Sequence, residues 1–224
     1  MPFSDRREAG RFLAKPVSEL QLDNPVVVAI PCGGVPVAFE IAKALGAPLD
    51  VLVVCSLDAP GKPEILVGAV AETAIHVLDE ETLNMLGVRD EQLGQRVATA
   101  TADLAHMTNL YRSGRPPISV QDRQVLLVTD ALPTALKVNA AATALKKRGA
   151  ASIVLASPVA TTQATQVLGP EIERFVYARD PEEHMTMSLW YDNFTPLRED
   201  EVMDLLIAAA EFRPDPTDPA AARV

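Results

Sequence analysis

Short runs of β-branched and aliphatic residues recur along this chain, and most are followed by a turn and then by apolar residues at helical spacing. Residues 26–30 are apolar throughout and end at Pro31-Cys32-Gly33-Gly34. Val37, Ile41, Ala44 and Leu45 then line one helical face, and Gly46 is placed to stop that helix. Residues 50–54 predict a second strand, ending in a Pro- and Gly-rich loop over 55–63. Residues 125–128 predict a third, followed by a helix from Thr134 as N-cap to Arg148, closed by Gly149. Residues 152–156 predict a fourth. Strands that are apolar on both faces, with helices between them, predict an α/β fold with a parallel sheet covered on both sides.

The alternation is interrupted between the second and third strands. Residues 65–71 and 74–78 predict a hairpin, and 79–86 and 90–111 predict helices. In the longer helix Leu93, Val97, Ala100, Leu104, Met107 and Tyr111 step by three or four residues along one face, and 112–117 break it. The insertion, about 65–117, is expected to cap one edge or end of the sheet. Beyond Ala156 the pattern predicts a helix over 161–168, strands near Phe175 and Leu189, and a helix over 199–210. Residues 213–224 are rich in Pro, Ala and Asp with no apolar period, and are expected to form a disordered tail after a single domain over 1–212.

Composition narrows the function classes. In 224 residues, 30 Asp and Glu outweigh 20 Lys and Arg, a net charge of −10. That balance argues against a nucleic-acid or anionic-membrane binder, which needs a basic face. Aromatics at 4% are too few for a platform of stacked rings. The start of the sequence lacks an apolar run after its basic residues, so it does not read as a secretory signal. The uncharged stretch 149–170 holds two prolines and many Ser, Thr and Gln, unlike a spanning helix. A cytoplasmic protein is expected.

In open parallel sheets ligands sit beyond the carboxyl ends of the strands, so the loops there carry the candidate chemistry. After the first strand, the amides of Gly33 and Gly34 can approach a ligand just before a helix N-terminus. A tight turn with no ligand explains the same glycines equally well. After the third strand, Asp130 is placed to bind sugar hydroxyls or a metal, or simply to satisfy loop amides, the commoner fate. In the loop after the second strand, Lys62 is the only base. Cys32 and Cys55 each follow a strand and could make a redox pair or half a metal site. The preferred reading is two small neutral residues, since a reducing cytoplasm keeps thiols apart. His76, His106 and His184 have no metal-ligand spacing.

Taken in order, several segments resemble a family of bacterial predicted phosphoribosyltransferases. They are Phe3 with Asp5-Arg6-Arg7, Ala29-Ile30-Pro31 before Gly33-Gly34-Val35, and Ala59-Pro60-Gly61 with Pro63-Glu64. Gly68-Ala69-Val70-Ala71-Glu72, Tyr111-Arg112 with Gly114-Arg115-Pro116-Pro117, Pro158-Val159-Ala160, and Trp190-Tyr191 with Phe194 complete the set. The resemblance spans Phe3 to about Leu206. It implies the type I phosphoribosyltransferase fold, which binds phosphoribosyl pyrophosphate (PRPP) and usually Mg²⁺. By this resemblance the Gly33-Gly34 loop matches the pyrophosphate loop and 125–137 match the PRPP loop. Asp130 then keeps one acid of a pair that holds the ribose hydroxyls, and Thr134 keeps one phosphate-binding hydroxyl.

The departures from the family pattern fall on that same site. Cys32 stands where the family has Arg, and Cys55-Ser56 where it has Arg-Lys. Thr129 replaces the first acid, Ala131 and Ala135 replace glycines, Pro133 removes a backbone donor, and Lys137 replaces a hydroxyl. A hydrogen bond to a charged group contributes about 1.5–3 kcal/mol. Losing two weakens PRPP by roughly two to four orders of magnitude. The expectation is a phosphoribosyltransferase-like protein without transfer activity, acting in binding or regulation. A small phosphorylated ligand or a protein partner would occupy the vacated cleft, and the chain would form a homo-oligomer. No cofactor is firmly implied, with Mg²⁺ entering only if PRPP still binds. The alternative is an active enzyme of divergent specificity that uses Asp130, Thr134, Lys137 and the Gly33-Gly34 amides.

Overall fold

The structure, a computed structural model, describes residues 2–180 and 186–212. The tail expected over 213–224 lies outside the described residues. The chain opens with α1 (Arg6–Ser18), whose N-cap Asp5 accepts a hydrogen bond from the Glu8 amide. Then come β1 (Val26–Ala29), α2 (Gly34–Leu45) and β2 (Leu49–Val51). Gly46 ends α2 in the left-handed conformation at φ 59°, the stop its sequence position predicts.

The second expected strand divides. β2 ends at Val51, and the chain turns into β3 (Val54–Ala59) of another sheet. Leu52 and Val53 are both buried but in different cores, so a single straight strand cannot satisfy them. Glu72 holds the bend, its carboxylate accepting from the Val53 amide at 3.0 Å. Residues 55–59, expected as loop, are therefore strand, with Leu57 and Ala59 buried. The breaking residues act only at Pro60-Gly61, where Ala59 pairs with Lys62 and Gly61 has φ 75°. β4 (Lys62–Ala71) and β5 (Ile75–Leu78) form the expected hairpin, extended by β3 to three antiparallel strands. α3 (Glu80–Leu86) and α4 (Asp90–Arg112) follow. α4 packs its Leu93, Val97, Ala100 and Leu104 face on the small sheet.

β6 (Gln124–Val128), α5 (Leu136–Lys147), β7 (Ser152–Val159), α6 (Thr162–Gln166), β8 (Arg174–Arg179) and α7 (Glu199–Ala209) complete the chain. The main sheet has the order β2-β1-β6-β7-β8, parallel throughout. One face carries a core with α1, α2 and α7, and the other a core with α5 and the small sheet. Two expected details differ. Thr134 does not cap α5, which begins at Leu136 after Ala135 with no side-chain cap. Leu132 is drawn instead into a bridge with Ala160, leaving Thr134 exposed. Residues 187–190, expected near a strand, form a short 3₁₀ turn with Leu189 largely exposed. Only Tyr191 next to them pairs in strand fashion, with Phe3.

Among the described residues no helix is long and apolar enough to cross a membrane. The strand order reverses direction between β1 and β6, and the crevice at their carboxyl ends is where such sheets receive ligands.

Candidate functional site

The loops after β1 and β6 meet at that switch point. Gly33 lies so close to Asp130 that a Cβ there would overlap the carboxylate, and a Cβ on Gly34 would press within 2.8 Å of the Val128 carbonyl. Gly34 is required by the close approach of the β6 backbone, and Gly33 by the Arg6 and Asp130 side chains packed over it. The Pro31–Cys32 peptide that precedes them is cis.

Asp130 does not face the crevice unaccompanied. Arg6, reaching in from α1, donates from Nε to Asp130 Oδ2 at 2.8 Å and from Nη1 to the Thr195 carbonyl at 3.0 Å. Its guanidinium lies 4.0 Å from the centroid of Phe194. The Tyr191 hydroxyl donates to the Asp130 carbonyl at 2.6 Å, and burial together with the nearby Asp130 charge raises its pKa. Phe3 is zipped to Trp190 and Asp192 by two backbone hydrogen bonds of 2.8 Å, which brings α1 and the 191–195 segment to the same point. Asp130 stood out in the sequence as a candidate ligand residue, whereas Arg6 and Tyr191 entered only as parts of the family resemblance, with nothing to mark them as its partners. Spacings of more than 120 and about 60 positions carry no local signal.

The rest of the loop after β6 is drawn against β7. Thr129 is buried, its amide donating to the Ala156 carbonyl and its hydroxyl to that of Ala131. The Leu132 amide donates to Val159 O at 2.8 Å, and Leu132 O accepts from Thr161. Ala135 is buried at the start of α5, and Lys137 is exposed in its first turn.

Cys32 and Cys55 are both half-buried and free. Cys32 Sγ lies 3.0 Å from the hydroxyl of Tyr111 on α4. Tyr111 is fully buried, and burial and the Cys32 contact raise its pKa. Cys55 sits on β3 opposite Val70, next to Ser56, which pairs with Ala69. Burial pushes the Cys55 thiol pKa up, the Asp103 charge adds to this, and the Lys137 charge opposes it. Lys62 is not part of this group. It stands exposed at the outer turn of the small sheet.

Mg²⁺ requires several oxygen ligands in octahedral array. The loop after β6 offers one carboxylate, already ion-paired, and among the described residues no group of three or more acids, Cys or His is arranged for a metal. These residues do not by themselves fit the ion.

A parallel sheet of this order, with the strand-end loops meeting at its switch point, is a doubly wound α/β fold built to take a ligand there. The model of the family "Phosphoribosyl transferase domain" matches residues 6–169, and the chain belongs to that family. It is 33% identical over 204 residues to a Mycobacterium tuberculosis protein named "Putative phosphoribosyl transferase", covering 91% of this chain and 46% of that one. The chain thus spans about half the length of the curated relatives it matches. The TT1426 protein of Thermus thermophilus superposes with a TM-score of 0.77 at 33% identity, covering 93% of this chain and 99% of that one. A hypothetical protein from Neisseria gonorrhoeae, solved with bound ppGpp, shares the fold at 14% identity and a TM-score of 0.52, over 93% and 94% of the two chains.

Proposed function

We propose that this chain keeps the phosphoribosyltransferase scaffold without PRPP-dependent transfer, and serves as a binding or regulatory protein through the crevice at the β1–β6 switch point. The observation that carries this reading is the pairing of the Cys32 thiol with the buried Tyr111 hydroxyl where the family resemblance calls for a cation. Transfer from PRPP depends on electrostatic stabilisation of departing pyrophosphate. A thiol carries no positive charge, and neither does the Tyr111 phenol, held in its protonated form, so the pair supplies none of that stabilisation. Arg6 is committed to Asp130 and Arg112 to Asp50 and Glu72, so neither supplies it.

One observation favours the divergent-enzyme reading. Lys137 stands in the first turn of α5, and among the described residues it has no ion-pair partner, so a single phosphate could be held there. A thermal-shift titration with PRPP, with and without Mg²⁺, separates the two. A ligand at 100 times its dissociation constant stabilises by about 2.7 kcal/mol, roughly 5–10 °C for a chain of this size. No shift at saturating PRPP is expected. A saturable, Mg²⁺-dependent rise overturns the proposal and restores the enzyme reading.

A further inference from the structure

β8 closes one side of the main sheet. In a parallel ladder, alternate residues direct both backbone groups to the same neighbour. The Glu173 amide donates to Ile153 O at 2.9 Å, and Arg179 O accepts from Ala160 at 3.1 Å. These two bonds mark the ends of the strand. Between them, Thr129 donating to Ala156 O turns the even-numbered residues of β7 to β6 and its odd-numbered ones to β8. With Leu155 registered on Phe175 and Ser157 on Tyr177, it is Phe175 and Tyr177 whose N–H and C=O are directed outward. Among the described residues no strand pairs with that side. The opposite edge is covered: Arg112 bonds Asp50 and the Val51 carbonyl of β2, and the Ile118 amide donates to Asp50.

Natural edge strands are blunted by central charges, Pro or bulges. Here the charges stand only at the two ends, Arg174 and Arg179, and 175–178 are uncharged. Phe175, Val176 and Ala178 are left half-buried, and Tyr177 is 48% exposed with its ring stacked on Phe175 at 5.0 Å between centroids.

We propose that two copies of this chain associate through β8, antiparallel about a two-fold axis at Val176. An axis perpendicular to the sheet keeps each side chain on its own face, so opposed residues must share parity. Centred on Val176, the register puts Val176 opposite itself and Arg174 opposite Ala178, and makes Phe175 and Tyr177, whose backbone groups point outward, the hydrogen-bonded pair. It also sets Phe175 against Tyr177 and Glu173 against Arg179, each pair occurring twice. Cross-strand aromatic and opposite-charge pairs of this kind are what stabilise a sheet junction. Centring on Tyr177 instead sets Phe175 against Arg179 and removes the Glu173–Arg179 pairing. Centring on Phe175 sets Glu173 against Tyr177. The Val176 register pairs both aromatic residues with each other and Glu173 with Arg179, whereas the Phe175 register, which opposes Glu171 to Arg179, leaves Glu173 and Tyr177 facing one another. In forming it, Arg179 gives up its bond to the Ala178 carbonyl, and Glu173 its bond to Lys146.

Sedimentation velocity over a concentration series, with residue-resolved amide exchange, tests this on the full chain. A reversible dimer is expected, with the Phe175 and Tyr177 amides protected only where the dimer forms. Tyr177→Lys, at an exposed side chain, is expected to weaken the dimer about tenfold or more. Glu173→Arg and Arg179→Glu each weaken it, and the two together restore it. A monomer at the highest soluble concentration overturns the proposal. So does a dimer indifferent to Tyr177→Lys while thermal melting shows that variant folded.

Discussion

Asp130 shows how far one side chain's role depends on neighbours remote in sequence. Its carboxylate is held by Arg6, and both side chains are largely shielded, Arg6 at 10% and Asp130 at 19% exposure. Removing one partner of a shielded pair leaves the other desolvated and alone, at a cost of roughly 3–5 kcal/mol. Arg6→Leu is therefore expected to lower unfolding stability by about that amount in urea titration. Asp130→Ala should cost less, because Arg6 retains the Thr195 carbonyl and the Phe194 ring. Gly33→Ala drives a methyl into the Asp130 carboxylate and should cost about 1–3 kcal/mol. Combining it with Asp130→Ala should recover most of that loss in a double-mutant cycle, and strict additivity would refute the contact.

The elements around the crevice depend on a second ion cluster. Arg112, at the end of α4, reaches both oxygens of Asp50 at 3.1 and 3.3 Å and both of Glu72 at 3.3 and 3.1 Å. Burial disfavours its charge, but the two carboxylates outweigh that and raise its pKa. This cluster ties α4 to the edge of the main sheet and to the bend between β2 and β3. Arg112→Met should destabilise by about 3–5 kcal/mol and open residues 113–118 to limited proteolysis. Unchanged urea stability together with an intact proteolytic pattern would show the cluster to be dispensable. Periodicity was a sound guide to the helices, because α2, α4 and α7 each bury one stripe against a sheet or another helix. It failed at residues 52–59, where a bend carries adjacent apolar residues into different cores and no change of composition marks the place.

Two further expectations belong to the molecule as a whole. Restoring cations with Cys32→Arg and Cys55→Arg should raise PRPP affinity by about tenfold or more per recovered charged contact, measured by calorimetry. If both variants fold and neither binds more tightly, the proposal that absent cations weaken PRPP binding here is overturned. The second concerns pH. Cys55, Tyr111 and Tyr191 all have raised pKa values in the folded protein, so folding holds their protons more tightly than the unfolded chain does. Their neutral forms are fully present below the unfolded values, about 8.5 for a thiol and about 10 for a phenol. Stability should hold up to about pH 8 and then fall as pH rises through those values. A melting temperature flat to about pH 11 would contradict the shielding of these groups.

The order of apolar strands and helical stripes is a local property, and from it the parallel sheet and the presence of a hairpin-and-helix insertion follow. The expectation that Cys32, Cys55 and Thr129 stand where the resembled family carries charged residues also came from the sequence, through that resemblance and not from periodicity. Contacts between remote segments are a different matter. That Arg6 holds Asp130, that Leu132 closes the loop against β7, and that Cys32 turns to Tyr111 depend on which strand ends are brought together. Each joins residues that only the sheet order makes neighbours, and the free energy of burial that pays for such contacts exists only once the whole sheet has formed.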